Sequence, residues 1–69
     1  MTRADYELLT VGDVIVLSDE GRRELRDLRG KKGRVIGKRA GTVTVLWGMK
    51  NPRVMVNHPD NLEIVKEAL

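Results

Sequence analysis

Gly33-Arg34-Val35-Ile36-Gly37 and Thr42-Val43-Thr44-Val45-Leu46-Trp47, joined by Lys38-Arg39-Ala40-Gly41, form the most strongly patterned part of the chain. Alternation and β-branched residues make both outer segments strands. The four residues between them read as a hairpin turn, with Gly41 available for a positive φ. In the second strand Val43, Val45 and Trp47 point one way and Thr42, Thr44 and Leu46 the other, because successive side chains alternate across a strand. In the first, Val35 points inward.

Working outward, Asp13 to Leu17 reads as an earlier strand, since Val14-Ile15-Val16-Leu17 is a run of β-preferring residues that is apolar on both faces. Ser18 is an N-cap candidate for a short helix, and Asp19 and Glu20 suit its positive end. Leu25 and Leu28 would share its buried side, and Arg22, Arg26 and Arg29 would line another. Gly21 weakens that helix by about 1 kcal/mol relative to alanine. Gly30 is placed to end it in a left-handed conformation.

On the other side, Arg53 to Asn57 is a further strand, with Val54 and Val56 on one face and Arg53, Met55 and Asn57 on the other. His58-Pro59-Asp60-Asn61 reads as one 3₁₀ turn. Leu62 to Val65 is a short last strand. The first ten residues carry no strong period. Residues 1–10 are expected to be a partly ordered N-terminal segment in which Met1 to Ala4 fray, while Tyr6, Leu8 and Leu9 pack on the domain. Residues 11–66 form the domain proper.

Five short strands, one long connection and a 3₁₀ turn before the last strand describe a mainly β, SH3-like five-stranded barrel. The competing five-stranded OB barrel normally carries its helix between the third and fourth strands. Here the long connection falls between the first and second.

Gly12-Asp13-x-Ile15-x-Leu17, Gly30-Lys31-Lys32-Gly33-Arg34-Val35 and Gly41-x-Val43-x-Val45 together resemble the KOW motif of ribosomal and transcription-elongation proteins. The closing His58-Pro59-Asp60-Asn61-Leu62-Glu63-Ile64 is similar to the 3₁₀-turn-and-strand ending of SH3-like barrels. The chain also resembles small uncharacterised bacterial and phage proteins of this build. The resemblance spans residues 11–65 in pattern. It implies RNA contact from the loop around the glycines, a role that falls on Lys31, Lys32 and Arg34. One departure stands out: Ser18 to Leu28 intervene where KOW proteins usually need only a few residues.

Charge points the same way. The chain has 69 residues and a net charge of +3, but Arg22 to Arg39 alone sums to +7 and the remainder to −4. Nine of the thirteen Lys and Arg lie in that stretch, against two acids, Glu24 and Asp27. Arg22, Arg26, Arg29, Lys31, Lys32, Arg34, Lys38 and Arg39 are therefore the candidate nucleic-acid-binding residues, with the hairpin expected to bring Arg34 near Lys38 and Arg39. The expected partner is RNA or DNA, gripped through phosphates. The competing expectation is a protein-interaction module, of the phage or mobile-element accessory kind, with Val14, Val16, Leu46 and Met55 as an exposed apolar patch. A third reading of the charge is solubilisation alone.

Other chemistry finds little support. With no cysteine and one histidine, His58, a metal site has no donor set, so neither metal nor cofactor is expected. Asp13 has no carboxylate partner for acid–base work and reads as an acceptor of backbone N–H bonds. Ser18 has no neighbouring base. No glycine run matches a phosphate-binding or dinucleotide fingerprint. A binding module and not an enzyme is the expectation, with no small-molecule substrate. Trp47 and Tyr6 are the only aromatic residues, and Trp47 is in phase with the core valines. No apolar run approaches the roughly 20 residues that span a bilayer, and the N-terminus lacks a signal-peptide core. A cytoplasmic protein with no membrane role is expected.

Overall fold

The computed structural model describes residues 1–65. It is mainly β: five antiparallel strands in one sheet, with two short helices and two 3₁₀ turns. The strands are β1 (Val14–Leu17), β2 (Gly33–Arg39), β3 (Thr42–Trp47), β4 (Arg53–Asn57) and β5 (Leu62–Ile64). Their order in the sheet is β4-β3-β2-β1-β5. Consecutive strands from β1 to β4 are neighbours, and β5 returns to pair with β1. The hydrogen-bonded ladder does not close, because β4 and β5 remain its two edges among the described residues.

The core is the inward face of this bent sheet. Ile15, Leu17, Val35, Val43, Val45, Trp47 and Leu62 are buried in it, together with Leu28 and Leu9 from the connections. Cross-strand register explains the set. Gly33 pairs with both Ile15 and Trp47, and Val35 pairs with Val45, so the inward residues of three strands stack side by side. A bulge between Val35 and Gly37 shifts the register, leaving Ile36 exposed.

β4 has the opposite orientation to the one its valines imply. Val45 faces Met55 and Val43 faces Asn57 across the ladder, so Met55 and Asn57 share the core side. Val54 and Val56 face solvent, 58% and 64% exposed. The reason is a polar requirement inside. Trp47 is fully buried, and its indole Nε1 donates to Asn57 Oδ1 at 3.2 Å. Only the asparagine face of β4 can satisfy that donor.

The hairpin is tighter than its four-residue linker implies. Strand pairing runs through Lys38 and Arg39, leaving Ala40 and Gly41 as a two-residue turn with φ of +50° and +79°. Two successive positive φ values define the turn type that matches the natural twist of a hairpin. Ala40 is the one non-glycine residue with positive φ among the described residues, and its Cβ makes that conformation costly. Ala40→Asn is therefore expected to stabilise the protein by about 0.5–1 kcal/mol, because asparagine tolerates this region. Thermal unfolding checks it: Tm should rise by about 4–8 °C per kcal/mol for a domain of this size.

The long first connection is helical, as its capping signals imply. α2 (Asp19–Glu24) is capped by Ser18, whose Oγ accepts from the Gly21 N–H at 3.2 Å. It ends at Leu25, however, and a separate 3₁₀ turn, Arg26–Leu28, follows. Gly30 then takes a φ of +73°. The same Ser18 ties this connection to the second 3₁₀ turn, Pro59–Asn61. Its hydroxyl donates to the Asp60 carbonyl at 2.6 Å, and its N–H donates to the Asn61 carbonyl at 2.9 Å.

The N-terminal segment forms a helix, α1 (Arg3–Leu8), where fraying and no period were expected. Thr2 and Asp5 cap it reciprocally, each side chain accepting the other's backbone N–H. Leu9 is buried and Tyr6 half-buried, but Leu8 points outward, 77% exposed. The Met1 amino group donates to the carbonyls of Pro59 and Leu62. Asp13 accepts from the Thr10 N–H at 2.9 Å, the turn role its position implied. No helix among the described residues is long and apolar enough to cross a membrane.

Candidate functional site

The helical connection returns to the sheet at Gly30, and β2 starts at Gly33, so Lys31 and Lys32 cross the end of β1 on the way. β1 and β2 separate there, and the gap is a shallow cleft of about 240 Å³ lined by Val16, Leu17, Arg22, Gly30, Lys31 and Lys32. A second depression of about 440 Å³ adjoins it and shares Lys32; Val14, Arg34, Leu46 and Pro52 line it too. Arg34 belongs to the outer row of the sheet, between Val14 of β1 and Leu46 of β3. Lys31, Lys32 and Arg34 thus follow one continuous groove with an aliphatic floor. All three are exposed. None of the three side chains has a hydrogen-bond or ion-pair partner among the described residues.

The eight candidate cations do not form one stripe. Arg22 is held at the groove's edge, paired with Asp19 and donating to the Leu17 carbonyl at 3.1 Å. Arg29 turns back, its Nε donating to the Arg22 carbonyl at 2.7 Å. Because α2 stops at Leu25, Arg22, Arg26 and Arg29 do not share the single helix face that their spacing implies. Arg26 sits on the 3₁₀ turn, exposed.

Lys38 and Arg39 lie at the far end of β2. Arg39 lies five positions after Arg34, about 16 Å along an extended strand. The hairpin brings Arg34 opposite Leu46 and Arg39 opposite Thr42, not Arg34 near Arg39. Lys38 has a structural task. Its Nζ donates to the carbonyls of Tyr6 and Glu7 at 2.8 and 3.2 Å, closing the C-terminal end of α1, and lies 5.0 Å from the centroid of the Tyr6 ring. A cation there complements the helix dipole.

The two acids of the basic block are engaged away from Lys31, Lys32 and Arg34, while Glu63 stands opposite Val16 across the β1–β5 ladder and Asp13 shares a depression with Arg34. Asp27 pairs with Arg53 at 3.1 Å, and Glu24 accepts from the Asn61 side-chain amide at 3.4 Å. Asp27 thus ties the first connection to the start of β4, and Glu24 ties it to the 59–61 turn.

The expected apolar patch takes a different membership. Val14, Val16 and Leu46 do lie on the outer face, but Met55 is half-buried against the core. Ile36, Val54 and Val56 join Leu46 on the exposed outer face of β2, β3 and β4. The valines of β4 could not be assigned to this face from their alternation, which is equally regular in either orientation.

The remaining polar candidates are structural. His58 Nδ1 accepts from the Asp60 N–H at 3.1 Å, capping the second 3₁₀ turn. Among the described residues no three His, Cys, Asp or Glu side chains gather in a metal-binding arrangement. Comparison with protein-family models, with characterised proteins and with solved structures finds no match for this chain.

Proposed function

We propose that this chain is a small non-enzymatic binding module with an SH3-like build that holds nucleic acid by its phosphates through Lys31, Lys32 and Arg34. The observation that carries this reading is the convergence of those three unpaired cations on one groove, with the nearby Asp27 and Glu24 engaged elsewhere. Lysine and arginine at such positions supply sequence-independent affinity by displacing counterions. Arg22, Arg29 and Lys38 are removed from the binding set, since each is tied to a backbone carbonyl. The strand order, with β5 returning to β1 after a 3₁₀ turn, is what supports the SH3-like assignment and, through the Gly30-to-Val35 segment, the likeness to KOW proteins.

Fluorescence anisotropy with labelled RNA and DNA tests the function. The native chain should bind at micromolar Kd at 50 mM salt. The triple variant Lys31→Ala, Lys32→Ala, Arg34→Ala should weaken binding by at least tenfold and reduce the salt slope by about three, close to one per lost phosphate contact. Lys38→Ala is the matched control: it should lower Tm while leaving affinity within about twofold, because its ammonium serves α1. Equal affinity of the native and triple-variant chains would end the proposal.

A second reading is favoured by the outer face. Ile36, Leu46, Val54 and Val56 expose apolar surface next to the groove, as a protein-docking patch would. Under that reading the chain binds no nucleic acid, and Val54→Asp with Val56→Asp leaves folding intact but abolishes partner capture.

A further inference from the structure

We infer that the groove takes double-stranded nucleic acid, gripped on its phosphate backbone, and not a single strand held through its bases; this rests on the nucleic-acid reading above. Single strands are held tightly when bases stack on exposed rings, because stacking offsets the ordering of a flexible chain. This protein has no ring to offer. Its aromatic residues are Trp47 and Tyr6 alone. Trp47 borders the second depression but is fully buried, so its ring is closed to a base, and its indole N–H is committed to Asn57. Tyr6 is half-buried at the opposite end of β2, with Lys38 beside its ring and its hydroxyl donating to the Thr42 carbonyl at 3.2 Å. The one imidazole, His58, caps a turn and lies in a depression with Met1, Tyr6 and Gly41, outside the groove.

What the groove does offer is charge on a rigid frame. Arg34 lies on a strand bonded to β1 and β3, and Lys32, just before that strand, is held by its carbonyl, which accepts from the Gly48 N–H at 2.8 Å. A duplex presents one phosphate charge per about 1.7 Å of axis, already ordered, so binding it orders little of the ligand. Fixed cations meeting fixed phosphates is therefore the favourable pairing. The aliphatic floor of Val14, Val16 and Leu46 has no donor or acceptor side chain with which to read base edges.

The test uses the native chain and four kinds of probe: 20-base-pair DNA duplexes of two unrelated sequences, a 20-base-pair RNA duplex, mixed-sequence single strands of equal length, and oligo-dT. Duplex should bind at least about fivefold more tightly than any single strand, with the two DNA sequences agreeing within about twofold. With phosphate contacts from Lys31, Lys32 and Arg34 the slope of log K against log salt should be about −2.7. The DNA and RNA arms tell which duplex geometry fits better, and preference for either supports the inference. Single strands that bind as tightly as duplex would overturn it while leaving nucleic-acid binding standing. Failure to bind any probe at 50 mM salt would remove the function and this inference together.

Discussion

Gly21→Ala should cost this protein about 2–3 kcal/mol and lower its Tm by about 10–20 °C, although helix propensity alone assigns the substitution a gain of about 1 kcal/mol. The difference in sign comes from one contact. A β-carbon on Gly21 would run into the backbone carbonyl oxygen of Asn61, lying 3.0 Å from its carbon and 3.1 Å from Leu17 Cδ2. The obstacle cannot swing away as a flexible side chain would. The Asn61 carbonyl accepts from the Ser18 N–H, and the neighbouring Asp60 carbonyl accepts the Ser18 hydroxyl. Moving the turn to admit a methyl group breaks the bonds that dock α2 on it. Arg23→Ala, an exposed position on the same helix, is the comparison and should stay within about 0.5 kcal/mol of the parent. Urea titration of both variants measures the pair. A Gly21→Ala protein at least as stable as the parent would mean that α2 does not rest on the 59–61 turn.

Trp47→Ala should be the most damaging single change, at about 3–5 kcal/mol, enough to unfold much of a population whose whole stability is about 3–10 kcal/mol for this length. The indole is the largest fully buried side chain, and its neighbourhood is shaped to it. Gly33 stands opposite it across the β2–β3 ladder, and a β-carbon there would lie 3.0 Å from Trp47 Cε3 and collide with Val45 Cγ1. No other residue type leaves room for the ring. Trp47→Phe separates the two contributions of the indole. It retains most of the apolar volume but leaves Asn57 Oδ1 buried without its donor, at a cost of about 1–3 kcal/mol. Asn57→Leu in the Trp47→Phe background should recover part of that loss, since removing both partners of a buried hydrogen bond is cheaper than removing one. Equilibrium unfolding of the three variants reads the ranking; a Trp47→Phe protein as stable as the parent would show that the Asn57 contact contributes nothing.

Several elements were legible in the chain because their signals are local. β3 shows its alternation over six residues, Ser18 precedes two acids at a helix start, and the His58-Pro59 pair marks a turn. Each needs information only from neighbouring residues, and each is found where those neighbours imply. The N-terminal helix escaped notice because its evidence is two residues, Thr2 and Asp5, whose reciprocal capping means little without the packing of Leu9 and Tyr6 beneath them. The candidate site was legible as composition and not as shape. Nine cations in eighteen residues announce a positive surface, yet nothing in their spacing says that Lys38 would close a helix from the other end of the chain.

Composition and period by themselves determined that this is a β protein with a basic central segment, a long helical first connection and a single buried tryptophan. Tertiary structure alone decided which face of β4 turns inward, which of the cations remain available, and why glycine stands at positions 21 and 33. The physical reason is common to all three. Alternation along a strand and charge along a chain are properties of adjacent residues, whereas the acceptor for an indole N–H, the partner of an ammonium group and the space left for a β-carbon depend on atoms brought in from distant positions by folding.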